Sequence, residues 1–152
     1  MNIVLFEPEI PVNTGNIGRT CVATGTKLHL IRPLGFFIDD KSLKRAGLDY
    51  WDELDVRIYD GFEDFLEKNG NPRIYMVETK TEKLYTDVRY EVNDFIMFGK
   101  ETTGIPDEIL QKYADSVVRI PMIPETRSLN LSNAAAIVLF EALRQIGFVG
   151  LE

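Results

Sequence analysis

"NIVLFEPEIPVNTGNIGRT", residues 2–20, decides how this chain is read. "NIVLF" is a short β-prone apolar run of the kind found in strands. A Glu/Pro-rich turn, "EPEIPV", follows, and then "NTGNIGRT" (13–20), in which short polar side chains surround two glycines. Next comes "GRTCVATG", which reads as a helix stopped by Gly25 in the usual C-terminal position. A segment of this composition between a strand and a helix is expected to be a tight turn or a backbone cradle for a ligand.

Outward from that segment, "KLHLIRP", "DVRIYD", "RIYMVET", "DFIMFGK" and "SVVRIP" read as further strands. "DDKSLKRAG" suggests a short helix. "GFEDFLEKNG" suggests an amphipathic one, with Phe62, Phe65 and Leu66 on one face, and "PDEILQKYA" a helix opened by proline. Strands and helices alternating at this spacing predict an α/β fold, a mostly parallel sheet with helices on both faces, within a single domain spanning residues 1–152. The last helix differs from the others. From Ala134 to Leu143 its only polar residue is Glu141, so it needs cover on more than one side. One sheet covers about half of such a helix, which predicts a homodimer through it, with Val138 and Ala142 among the outward positions.

Composition narrows the function. The 152 residues contain no apolar run near the ~20 needed to span a bilayer, and no basic stretch precedes the apolar start, so a cytoplasmic protein without a membrane partner is expected. The single cysteine, Cys21, reads as a buried inert thiol, and the single histidine, His29, alternating with Leu28 and Leu30, as a structural residue. One Cys and one His make no spaced ligand set, so no metal is expected. The net charge of −7 argues against a polyanionic partner. Residues 39–67, however, hold ten acidic and four basic residues, and the remainder, with 14 and 13, is nearly neutral. That remainder leaves room for a small basic groove.

Two other segments share the character of "NTGNIGRT": "FGKETTGIP" (98–106) and "IPMIPETRSLNLSNAA" (120–135). Each follows a strand, and ligands of open α/β sheets sit beyond the carboxyl ends of strands. Each also brings a basic residue: Arg19, Lys100 and Arg127. "RSLNLSN" sets Ser128, Asn130, Ser132 and Asn133 at the start of the apolar helix, with Ser132 or Asn133 as candidate N-cap and the helix start as a candidate seat for a carboxylate or phosphate. Taken singly, each segment also has a structural account: glycines for a turn, Pro106 to open a helix, a cap. A dinucleotide site at the first is poorly supported, because "GNIG" lacks the G-x-G-x-x-G spacing and Asp39, at about the expected distance, is a common residue.

In this order, "NTGNIGRT", "FGKETTGIP" and "IPM…RSLNLSNA", with "DDKSLKRAGLDYWDEL" between the first two, resemble the knotted SPOUT methyltransferases. Among these, the chain is most similar to the small single-domain enzymes that methylate the wobble nucleotide of tRNA on its ribose 2′-oxygen. The resemblance covers the whole chain and implies a C-terminal trefoil knot, an exception to the rule that chains do not thread. It implies S-adenosylmethionine bent in the knotted loops, with contacts at Val77, Thr79, Gly99, Glu101, Ile120, Met122, Ser128, Leu129 and Asn133. It implies an RNA side at Asn13, Asn16, Arg19, Lys100 and Arg127, tRNA rather than DNA as the partner, and Arg19 as the catalytic residue.

Methyl transfer to a ribose hydroxyl needs the oxygen aligned with the sulfonium methyl and its developing charge stabilised. A guanidinium is a poor general base in water, which favours a role in orienting the adjacent phosphate and stabilising the oxygen. A base role for Arg19 stays open only if the site shifts its pKa far down, and a substrate phosphate is the alternative proton acceptor. Tyr50 and Trp51 are candidates for stacking on an extruded base or for ordinary packing. The motifs fix the cofactor pocket better than the target. Another tRNA or ribosomal RNA site, or a module without turnover, therefore stays open, although Arg19 within an intact first motif favours an enzyme.

Overall fold

The protein is described by a computed structural model covering residues 1–38 and 50–152. The helix expected over "DDKSLKRAG" and the position of Asp39 lie outside the described residues.

The strands are β1 (Asn2–Phe6), β2 (Lys27–Ile31), β3 (Val56–Tyr59), β4 (Ile74–Val77), β5 (Phe95–Phe98) and the two-residue β6 (Val117–Val118). They form one sheet in the order β3-β2-β1-β5-β4-β6, and every pairing is parallel. Among the described residues the α-helices are α1 (Pro11–Thr24), α2 (Phe62–Lys68), α3 (Asp107–Lys112) and α4 (Leu131–Gln145).

Both faces of the sheet are covered, and β1 shows how. Ile3 and Leu5 point into a cluster with Ile17 and Cys21 of α1 and Val138, Leu139, Ala142 and Leu143 of α4. Val4 and Phe6 point the other way, into a cluster with Phe65 and Leu66 of α2. All five residues of β1 are buried, and from Ile3 to Phe6 the run is apolar without alternation. At about 2 kcal/mol per fully buried aliphatic side chain, β1 and β5 anchor the molecule. His29 projects from β2 into the aromatic side, 1% exposed, where Nδ1 meets the Tyr59 hydroxyl at 2.8 Å and Nε2 meets Asn2 Oδ1 at 3.2 Å. Burial is the main cause holding its pKa down to about 4, and it pushes the Cys21 thiol up to about 12, so His29 is neutral and Cys21 an unreactive thiol at neutral pH.

Two expectations are corrected. "NTGNIGRT" is not a junction between strand and helix. It lies within α1, which starts at Pro11 and ends at Gly25 in the left-handed conformation. Gly15 and Gly18 are buried interior helix positions, so they shape no turn. Propensity disfavours a helix there, and burial of Asn13, Thr14, Ile17 and Cys21 on one side overrides it. Val138 and Ala142 are not outward either. Both are 0% exposed, on the inward stripe of α4 with Ala135, Leu139 and Leu143. The outward apolar residues of α4 are Ile137 and Phe140, 39% and 48% exposed. Among the described residues, no helix is long and apolar enough to cross a membrane.

Candidate active site beyond the strand ends

Because the strands are parallel, β1, β4 and β5 deliver their following loops to one edge of the sheet, where a cleft of about 640 Å³ opens. Val77 and Thr79 line it from the end of β4, Gly99 and Glu101 from the loop after β5, and Ile120, Met122, Ser128 and Leu129 from the segment before α4. Asn13, Lys100 and Arg127 also line it. Asn133, Asn16 and Arg19 do not: all three are exposed elsewhere on their helices.

The loop after β5 is held in shape by its own backbone. A Cβ on Gly99 would overlap the backbone of Gly104 and Ile105, and Gly104 has φ +71°. Lys100 O accepts the Gly104 N–H at 2.9 Å, and Glu78 Oε1 accepts the Ile105 N–H at 2.7 Å. Gly99 therefore allows the loop to close on itself.

This loop interlocks with residues 7–13. Lys100 Nζ contacts Glu7 Oε2 at 2.6 Å, a contact that raises the lysine's pKa. Thr102 donates its N–H and hydroxyl to the Glu9 carboxylate, at 3.0 and 2.8 Å. In return the Glu101 carboxylate accepts from Glu9 N at 2.8 Å, Ile10 N at 3.2 Å and Asn13 Nδ2 at 3.1 Å. Asn13 Oδ1 accepts from Asn130 Nδ2 at 3.0 Å, which ties in the third segment. All three segments thus meet at Asn13, which is 6% exposed.

Sequence reasoning passed over Glu78, and it placed Asn130 at the start of the apolar helix without giving it the cap. Asn130, not Ser132 or Asn133, caps α4: its Oδ1 accepts from Ser132 N at 3.0 Å and Asn133 N at 3.4 Å. The first free N–H groups of α4 are therefore already engaged, which leaves the helix start a poorer anion seat than expected. Glu78 sits directly after β4 and its carboxylate backs Gly104. Its place after an apolar strand was the available signal.

Arg19 lies on the outward stripe of α1 with Val12 and Asn16, on a different side from Asn13. Its guanidinium carbon stands 5.1 Å from the centroid of the Tyr50 ring. The chain thus presents a cleft with mixed apolar and polar walls, and, away from it, an exposed arginine. Among the described residues no group of His, Cys, Asp and Glu is arranged to hold a metal.

The model of the SpoU rRNA Methylase family matches residues 1–140. The chain belongs to this family. It is 51% identical over 150 residues to the tRNA (cytidine(34)-2'-O)-methyltransferase of Saccharophagus degradans, covering 98% of this chain and 97% of that protein. A solved structure described as giving insight into 2-OH methylation of C/U34 on tRNA superposes with a TM-score of 0.90 at 42% identity, over 95% of each chain. An AdoMet-bound rRNA methyltransferase from Sinorhizobium meliloti superposes with a TM-score of 0.84 at 26% identity, over 95% of this chain and 56% of that one. The cleft joins two of the three segments, and Asn13 joins the third.

Proposed function

We propose that this chain transfers a methyl group from S-adenosylmethionine to the ribose 2′-oxygen of the wobble nucleotide, cytidine or uridine 34, of tRNA, in the cytoplasm. The observation that carries the reading is the meeting of all three segments at Asn13 beside one cleft. The full-length relatives whose names specify this reaction support it.

The cleft fits the donor. Its volume lies in the range of small-molecule sites, about 300 to 1,000 Å³. Val77, Ile120, Met122 and Leu129 offer apolar walls for a purine, and the Gly99–Gly104 loop offers close backbone for its polar edge. When bound, S-adenosylmethionine supplies an electrophilic methyl group; no metal takes part in the reading. The protein's own work is to exclude water along those walls, hold the ribose oxygen in line, and stabilise charge on that oxygen through Arg19. The proton leaves to a phosphate of the substrate.

Arg19 faces away from its own cleft, and Ile137 and Phe140 of α4 lie uncovered, so we take the active enzyme to be a homodimer through α4. In it, the arginine of one copy serves the cleft of the other, and Arg19 and Arg127 of two copies form one basic groove on an acidic chain. We also read residues 120–130, packed beside the loops after β4 and β5, as the threaded limb of a trefoil knot.

The test is methyl transfer to bulk tRNA lacking modifications, followed by nuclease digestion and mass mapping. Methylation of the ribose at position 34 is expected. A product at another nucleotide moves the target to a different RNA site. Donor binding by calorimetry without any transfer makes the chain a binding module.

A further inference from the structure

We propose that Tyr50 is the positioning residue of Arg19. The face of its ring holds the guanidinium plane so that the N–H edge, rather than the face, is offered to the RNA. The inference rests on the role proposed above for Arg19.

An arginine on an exposed helix stripe has rotamer freedom to lose before its fork can meet a phosphate or a ribose oxygen. Arg19 is placed on such a stripe, with its Cζ 5.1 Å from the Tyr50 ring centroid, within cation–π range. The ring is not mounted on a mobile tail. Tyr50 leads directly into a 3-10 turn, Trp51–Glu53, and its carbonyl accepts the Glu53 N–H at 3.0 Å. Trp51 and Leu54, the latter 8% exposed, are anchored in the same cluster as Ile17 and Cys21 of α1. Helix and ring thus share one rigid base, while Tyr50 as a whole is 37% exposed.

The chemistry of the contact selects an orientation. A guanidinium over an aromatic ring uses its π face for the ring and keeps its in-plane N–H donors, the ones that pair bidentately with phosphate. A lysine over the same ring would keep its charge and lose that fork. The ring face that Arg19 covers is also unavailable to a base, so Tyr50 acts through the arginine and not as a stacking platform.

The experiment measures single-turnover rate, half-saturating tRNA concentration and cofactor affinity in full-length protein. The variants are Tyr50→Phe, Tyr50→Ala, Arg19→Ala and the double variant Tyr50→Ala/Arg19→Ala. Tyr50→Phe keeps the ring and should transfer methyl groups at close to the wild-type rate. Tyr50→Ala should lower the rate about three- to tenfold, the fold-change of a cation–π contact, with tRNA half-saturation and cofactor affinity within about twofold. In the Arg19→Ala background, removing Tyr50 should cost nothing further. Tyr50→Ala at the wild-type rate while Arg19→Ala is slow overturns the proposal and leaves the role of Arg19 standing. So does a Tyr50→Ala loss that persists without Arg19 or appears in tRNA half-saturation, the signature of base stacking. Arg19→Ala at the wild-type rate overturns both.

Discussion

Helix α1 starts without a side-chain cap and without an acidic residue in its first turn. Its negative partner comes from the loop after the neighbouring strand β5. The Glu101 carboxylate accepts from Glu9 N, Ile10 N and Asn13 Nδ2, 88 to 92 residues away in sequence, where a helix start favours negative charge. Hydrogen bonds to an ionised acceptor contribute about 1.5–3 kcal/mol each when sheltered. Ile10 is 44% exposed, so water recovers part of that on truncation, and about 1 kcal/mol per bond is the fair figure here. Glu101→Ala should therefore destabilise the fold by about 3 kcal/mol. Glu101→Gln, which keeps one acceptor oxygen but turns an NH2 group toward a donor, should cost about half as much. Thr102→Val, which removes an exposed contact to Glu9, should cost under about 1 kcal/mol. Urea unfolding at pH 7 with unchanged m-values reads these differences, and amide exchange at residues 9–14 should rise in the Glu101 variants alone. If Glu101→Ala unfolds within about 0.5 kcal/mol of wild type, the carboxylate does not hold the start of α1.

Two further outcomes are expected. His29 is held down to about 4, below its ordinary 6.5, so between these values the unfolded chain binds a proton that the native chain refuses, and stability falls as pH falls. The loss from pH 7 to pH 5 should be about 2 kcal/mol and should vanish in His29→Gln; an equal slope in that variant refutes the assignment. On α4, Phe140→Asp or Ile137→Asp should give folded monomers by light scattering, whereas Val138→Asp, at a fully buried position, should unfold the chain. Wild-type protein that is monomeric at micromolar concentration refutes the dimer.

The strands and their order of appearance were legible because a parallel sheet covered on both faces needs short apolar runs, and "IVLF" and "FIMF" have nothing polar to mislead. The body of α1 was not. Asn13, Thr14, Gly15 and Asn16 have poor helix propensity, and only Pro11, at the first turn, marked the true start. The phase of α4 was equally hidden. Between Ala134 and Leu143 only Glu141 is polar, which leaves little to orient that stretch, so whether Val138 or Ile137 faces the core depends on where α1 packs against it. Gathering most of the expected cleft residues depended on motif order, whereas the outward side of Arg19 and the cap from Glu101 depend on contacts across the sheet that no local spacing encodes.

The pairing of Asn2 with Phe95 at the centre of the sheet has a consequence for biosynthesis. Beside β2, only 25 residues away in register, β1 finds one neighbour early; closing the much longer chain to β5 costs about 1 kcal/mol more in loop entropy. At about 5–20 residues per second, a ribosome needs roughly 5–20 seconds to deliver β5 after β1 has emerged. For that interval the nascent chain holds "IVLF" as an open strand edge with no partner, a template for a neighbouring polysome's chain. The step most exposed to aggregation is thus set by where β5 falls in the gene, and slowing translation between codons 31 and 95 should lower soluble yield more than slowing it after codon 98.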